Sequence, residues 1–491
     1  MSPQETAIQT ITPPKPVPPT APPRRRWRRF ALRAGICLLI LLATPVVGYF
    51  VVDWYVQTRS QAVLDEMDRV DPHWRFDDLI ADRKPIPDEK NPALVAMKVD
   101  SLMRPAGGFD LGRKHDQTFD DLPPQRRLNG VQIEALRQAL DKHPDALKLA
   151  RTLKDYPDEG RYPVKRTSNF LNTNLDVLQR SRNVAWLLES DAKLRAENQD
   201  IDGAVESCRA CLTLSRAVGD EPYLIATLIR IAEAHIAIQA LERALAQGRA
   251  SEEELKAMQE SIRRDIGRPI LLEAVRGERA GFDAFVGEIG KGNVKMSAIV
   301  GPGMGRSSWE SWLLDNFPVI LTSGRPEYLR LMNKTVEAAK LPPEQQGAAM
   351  DAIEKEVRNT STPLVRLLMP AISKVGEAYR RHEATLRCAL CAVAAERYRL
   401  RHGDWPASLQ ELADKGWIDA VPIDPFDGQP LRYKRTVGEG VIIYSVSFDG
   451  VDDGGVIDRA RWREPGRDWG FQLWDDARRR QTPLPPKLIE D

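Results

Sequence analysis

The chain is 491 residues long, 42% hydrophobic and 29% charged, with a formal net charge of +1. That length gives room for several domains with sizeable cores and excludes a small disulfide-stapled scaffold. The near-neutral balance, with no basic face interleaved with aromatics, argues against a nucleic-acid partner.

The charge is unevenly spread. Residues 1–33 hold seven basic side chains and one acid, Glu5, which leaves 64 basic and 69 acidic residues beyond them. Residues 3–23 contain eight prolines, so 1–33 reads as a disordered Pro/Arg-rich tail. Arg24, Arg25, Arg26, Arg28 and Arg29 then precede AGICLLILLATPVVGYFVV, residues 34–52, a stretch of 19 residues without a charge. At about 1.5 Å per residue this stretch nearly crosses a hydrocarbon core of about 30 Å. Trp27, Tyr49, Trp54 and Tyr55 flank it as interfacial aromatics.

The arginines ahead of the span keep the N-terminus cytoplasmic and export the bulk of the chain across the inner or cytoplasmic membrane. A cleaved signal peptide needs a shorter apolar region and a small-residue cleavage site; Val47-Gly48-Tyr49 is a poor one. A lipoprotein needs a small residue before its acylated cysteine, whereas Ile36 precedes Cys37. Residues 34–52 therefore read as an uncleaved transmembrane signal anchor.

Residues 53–165 read as a helical stalk followed by an irregular helical segment punctuated by prolines. Residues 166–290 read as helix after helix, joined by short turns. EPYLIATLIRIAEAHIAIQALERALAQG predicts a helix that stops at Gly248, placed as a C′ glycine. Ser251 and Glu254 stand at capping-box spacing for the next helix. Residues 291–372 form a loop and helical connector. Gly301, Gly303 and Gly305 within it lack a nucleotide-type strand and helix, so a flexible loop is preferred to a phosphate cradle. Residues 373–491 predict a long helix, 373–402, ending at Gly403, a short helix over SLQELADKG and two short strands. An acidic loop follows, and the whole is a small α+β unit with a C-terminal tail. The fold class is mostly α.

Cys37 lies in the apolar span; the other cysteines form two CxxC pairs, Cys208/Cys211 and Cys388/Cys391. Spacing of three residues puts each pair on one helical face, as core packing does. A bridge or metal between the two helices, or redox catalysis, are the alternatives. No two histidines stand at HxxxH or HxH spacing, and His235, on an apolar helix, reads as a buried structural residue. No GxSxG occurs and no pair of acids singles itself out, so no catalytic set is assigned. The acidic loop, SFDGVDDGGVID (447–458), is open to two readings. It is either a solvated Asx/Gly turn or an oxygen-rich cage for a hard cation such as calcium.

Two resemblances add to this reading. Ala192, at the small position of a first helix, and Ala204, Cys208 and Cys211 in a second resemble one tetratricopeptide repeat. The resemblance implies a TPR-like helical solenoid with a surface for a protein partner. Residues 373–470 resemble the C-terminal region of the major pseudopilin of type II secretion systems. The likeness is carried in order by AAERYRLRHGDWPASLQEL, by PIDPFDGQPLRY with Asp427 as an inserted residue, and by IIYSVSFDGVDDGG.

The pseudopilin resemblance implies calcium held by aspartates and backbone carbonyls. Asp449 matches the first aspartate and Val446 a carbonyl donor; Asp458 and Asp468 are candidates for the second aspartate, with Asp453 a nearer acid. The chain also departs from that family. It has Ile40 near the position of the prepilin glutamate, and no acid between Arg33 and Asp53; residues 53–372 separate the pilin-like unit from the membrane span. A polymerising subunit is therefore not expected. The expectation is a membrane-anchored extracytoplasmic scaffold or accessory protein of secretion or envelope assembly. An exported enzyme acting on envelope polymers is the alternative.

Overall fold

The computed structural model describes residues 24–111, 119, 122–167, 170, 173–294, 322–459, 461 and 463–485. The proline-rich stretch 3–23 and the glycines at 301, 303 and 305 lie outside them. The described chain is mostly helical, with a small antiparallel sheet near its C-terminus. It divides into two compact units, Met1–Gln57 and Thr58–Asp491.

Helix α1 runs from Arg24 to Val70. The expected span 34–52 therefore lies inside a longer helix that begins within the arginine cluster. Its side chains from Phe30 to Val52 are exposed, save a half-buried Tyr49. The stretch from Phe30 is long and apolar enough to cross a membrane. Local polarity is satisfied within the helix: Thr44 Oγ1 donates to the Ile40 carbonyl at 2.7 Å.

The second unit begins with α2 (Phe76–Ala81), α3 (Pro92–Met103), α4 (Gly130–Asp141) and α5 (Pro144–Arg151). Asn91 caps α3, and Asn129 with Gln132 forms a reciprocal capping box on α4. The central stack is α6 (Asp176–Glu197), α7 (Ile201–Ala217) and α8 (Leu224–Gln247), which pack against one another. Then come α9 (Glu252–Asp265), α10 (Ile270–Gly290), α11 (Arg325–Lys340), α12 (Pro343–Asn359) and α13 (Pro363–His402). Ser251 caps α9 by accepting from the Glu254 amide at 3.3 Å. α9 packs principally on α7 and α13 rather than on its predecessor α8.

Gly248 ends α8 for a different reason from the one expected. Its φ of −179° is extended rather than left-handed. An added Cβ would stand 2.6 Å from Ile201 Cγ1, so glycine is required by the close approach of α7. Gly403 does end α13 as a left-handed cap, with φ +81°.

After α13 come the short helix α14 (Leu409–Asp414), capped by Ser408, and strands β1 (Arg432–Thr436), β2 (Gly440–Ser445) and β3 (Trp469–Trp474). The sheet order is β1-β2-β3, antiparallel, with Tyr433 opposite Ile443 and Ile443 opposite Phe471. Val441, Ile443, Phe471 and Leu473 are buried, and β2 and β3 pack on α13. β3 lies in the region expected to be loop and tail. WGFQLW carries its signal, an alternation in which residues 469, 471 and 473 are buried and 470 and 472 are half-exposed.

The sheet is sealed onto the helical stack by buried polar links. Arg479 reaches both carboxylate oxygens of Glu396 at 2.8 Å and the Gly248 carbonyl at 2.5 Å. Glu242 of α8 accepts from the Gln472 amide at 2.8 Å and ion-pairs with Arg459. Trp469 donates to Thr385 Oγ1 at 2.8 Å and meets the His235 ring edge-on at 5.0 Å. Each of these charges is paired as it leaves water, which is what makes its burial tolerable.

Candidate functional site

The acidic loop occupies the connection between β2 and β3. Its base is set by Asp424, which is fully buried in the DPFDG turn. Asp424 accepts from Ser445 Oγ at 2.7 Å, the Val446 amide at 2.9 Å and the Phe426 amide at 2.9 Å, and pairs with Arg432. Burial pushes its carboxyl up, against the pull of these donors. Val446 is thus fixed through its amide.

From this base the chain turns through Ser447, at φ +59°, into the acids. Asp449 accepts from the Val451 amide at 3.1 Å and, across the loop, from the Gly466 amide at 3.3 Å. Gly466 has φ +85°, and a Cβ there would face Asp453 Oδ1 at 3.9 Å. Asp468 is buried and accepts from the Gly455 amide at 2.7 Å and the Asp453 amide at 3.4 Å. Burial pushes the Asp468 carboxyl up, opposed by those amides. Asp449, Asp453 and Asp468 are therefore linked through the loop backbone.

The other expected ligand is placed elsewhere. Asp458 accepts from the Arg461 amide at 3.1 Å and ion-pairs with the Arg461 guanidinium at 2.7 Å. The Arg461 amide, followed by its guanidinium, holds this carboxyl below its ordinary range. Asp452 accepts from Tyr444 at 3.0 Å and from the Gly454 amide at 2.9 Å.

Whether a hard cation suits this loop turns on the donors left over. Asp453 Oδ2 is buried with no hydrogen-bond partner. Asp449 and Asp468 each use both oxygens to accept amides, which leaves further lone pairs on each carboxylate. Among the described residues, no three His, Cys, Asp or Glu side chains stand close enough together to hold a metal ion. The donor types fit calcium, but Asp449 and Asp468 are engaged as acceptors of the loop amides, and Asp453 offers the oxygen without a partner.

The cysteines behave as core residues. Cys208, Cys211, Cys388 and Cys391 are buried free thiols. Burial raises all four, Cys391 to about 12, away from any reactive thiolate. Ala192 and Ala204 are buried beside them in α6 and α7. His235 is buried too, and desolvation pulls its ring down to about 3.

Perturbed carboxyls occur in two settings. Burial raises Glu233 of α8 to about 8. Ser181 Oγ lies 2.6 Å from the Leu178 carbonyl and donates to Glu233 at 2.5 Å, which pulls that carboxyl back down against burial. That pair is sealed, with Glu233 at 0% exposure. Burial also raises Glu273 to about 7, with Arg230 pulling the other way. Glu273 lines an open cleft of about 380 Å³ with Arg83, Arg161 and Asp220. The cations there are engaged: Arg83 meets Asp220 at 2.6 Å, and Arg161 meets it at 3.0 Å. Glu273 carries no local signature, because its partners come from segments far along the chain.

Comparison of the chain with protein-family models, with curated proteins and with solved structures returned no match.

Proposed function

We propose that this chain is a single-pass, membrane-anchored scaffold or accessory protein of secretion or envelope assembly. Its N-terminus is cytoplasmic and its bulk extracytoplasmic. The stack α6–α10 is a TPR-like surface for a protein partner, and residues 373–491 are a pseudopilin-like head with a calcium-stabilised loop. The observation that carries this reading is α1, whose apolar side chains from Phe30 onward face solvent over a length that suits a bilayer. Two further observations support it. The head is joined to the stack by links such as Arg459–Glu242 and Arg479 to the Gly248 carbonyl, which suits a fixed module better than a polymerising subunit. In the acidic loop, Asp449, Asp453 and Asp468 would have to draw together to hold the calcium, and the orphaned Oδ2 of Asp453 is the donor that supports this reading.

The topology is tested by labelling intact cells with an impermeant maleimide, in a Cys37→Ser background. Val437, 91% exposed in the β1–β2 turn, should label when changed to cysteine, and Thr10→Cys should not. The reverse pattern overturns the reading. The scaffold half is tested by native mass after mild detergent extraction: a chain that always runs at its own mass contradicts it. A second reading, an exported enzyme acting on envelope polymers, rests on Glu273 in its open cleft. It predicts that Glu273→Gln leaves folding intact and removes a hydrolytic activity on such polymers.

A further inference from the structure

A cleft of about 470 Å³ separates α6 and α8 from segment 122–125 and β3. Its ionisable walls are Glu189, Lys193, Glu242, Arg243, Asp458 and Arg459. Most of these charges cancel in pairs. Lys193 meets Glu189 at 2.8 Å, Arg459 ion-pairs with Glu242, and Asp458 meets Arg461 at 2.7 Å.

Arg243 is different. It is 5% exposed, yet no described carboxylate lies within ion-pair distance of it. Its terminal nitrogens donate to two carbonyls, Pro123 at 3.4 Å and Arg126 at 2.9 Å, and its Nε–H has no partner. A guanidinium carries five N–H groups, so donors remain. Gln247 donates to the Pro124 carbonyl at 2.7 Å and fixes the same segment, which holds Arg243 in place. Burial draws the guanidinium down to about 10, opposed by Glu197 and Glu189 at longer range, so it stays charged at neutral pH. Those two acids are already committed, Glu197 to Arg127 and Arg480, Glu189 to Lys193. A buried charge with neutral partners only is costly unless a counter-ion completes it.

We infer that this cleft binds a carboxylate-bearing ligand, with Arg243 as the counter-charge. A single surplus cation suits a monoanion. The carboxylates of Glu189 and Glu242 on the same walls disfavour a phosphate dianion. Phe119 and Trp474 supply flat apolar walls for the rest of the ligand. The shared chemistry is a free carboxylate, from a peptide C-terminus or a uronate sugar. This site stands apart from the membrane and scaffold reading and does not depend on it.

The test titrates the full chain in detergent, by calorimetry, with an N-acetylated dipeptide, the same dipeptide amidated at its C-terminus, and glucuronate. The expected result is binding of the dipeptide acid or of glucuronate, with a charge-dependent loss of about tenfold or more. For the peptide that loss is read against its amide, and for the sugar against methyl glucuronate ester. Whichever binds identifies the source. Arg243→Met should abolish the binding and, by removing a buried charge, leave the fold at least as stable. Absence of binding by both carboxylates overturns the inference, as does equal binding of acid and neutral forms. Retained binding in Arg243→Met overturns it too. The acid-against-neutral comparison uses the unmodified chain, so it decides the matter even if the variant fails to fold.

Discussion

Two helices among the described residues are long and apolar enough to cross a membrane, and they meet opposite ends. In α1, none of the apolar window from Phe30 is buried within the protein, whereas 61% of the window in α8 is. The difference lies in the ionisable residues. Between Arg33 and Asp53 there is none, while α8 carries Arg230, Glu233, His235, Glu242 and Arg243. Arg230 meets Glu159 at 2.7 Å, Glu233 meets Ser181, and Glu242 meets Arg459. An apolar helix with charges needs protein partners for each of them; one without charges needs only an apolar solvent.

The comparison breaks most visibly at Arg230. It is 3% exposed and bridges Glu159 and Asp265. Arg230→Ala empties a buried site and leaves Glu159 to Arg268 and Asp265 to Arg216 alone, and should destabilise the folded unit by about 3–5 kcal/mol in denaturant unfolding. A change within 1 kcal/mol, by the order of magnitude of a surface pair, would show that α8 does not depend on its ion pairs.

The reciprocal change puts a charge into α1. Leu41→Lys should cost membrane insertion about 2.5–3.5 kcal/mol, read as release of the chain by alkaline extraction. Its melting in detergent should stay that of the parent. If the substitution instead unfolds the chain, α1 is a core helix like α8.

A smaller effect sharpens the α8 side through pH. Glu233 has a folded value of about 8 against an ordinary 4.5, so the native state holds a proton that the unfolded state releases. Stability from this group is full at low pH and falls as pH rises through that window, by at most about 1.4 kcal/mol per pH unit. Glu233→Gln should remove that slope, measured as unfolding free energy at about pH 6 and pH 7. An identical slope in both proteins would mean that Glu233 is ionised inside the fold.

The smallest effect concerns charges held by backbone amides instead of by arginines. Asp449→Ala removes two acceptor contacts and should lower stability by about 1 kcal/mol. Millimolar calcium should raise the melting temperature of the parent and not of this variant. An equal response in both would remove Asp449 from any calcium site.

Much of the architecture was legible locally. The uncharged run 34–52 and the cap at Ser251 are local signals, and so are the stop at Gly403 and the apolar faces of α6–α8. β3 was obscured because WGFQLW follows a loop of acids and arginines that reads as tail, and its partner β2 lies more than twenty residues upstream. The junction was not readable at all. Arg479 and Gly248 stand 231 residues apart, and Gln472 and Glu242 230 apart. No local pattern distinguishes such an arginine from a solvated one. The acidic loop is visible in the sequence as a run of acids and glycines, but the partners of each acid are not. Asp458 is drawn off by Arg461, a contact three residues away, while Asp453 is joined to Asp468 through its own backbone amide.

The central claim is that the uncharged stretch is solvated by lipid and that the unit from Thr58 onward folds on its own polar and apolar contacts. Fractionation of the full chain and of a 58–491 version tests it most directly, with melting curves for both. The expected result is a full chain that stays in the membrane pellet at alkaline pH, a soluble 58–491 protein, and one shared melting transition. A 58–491 protein that pellets with membranes, or that melts far below the full chain, would contradict the account.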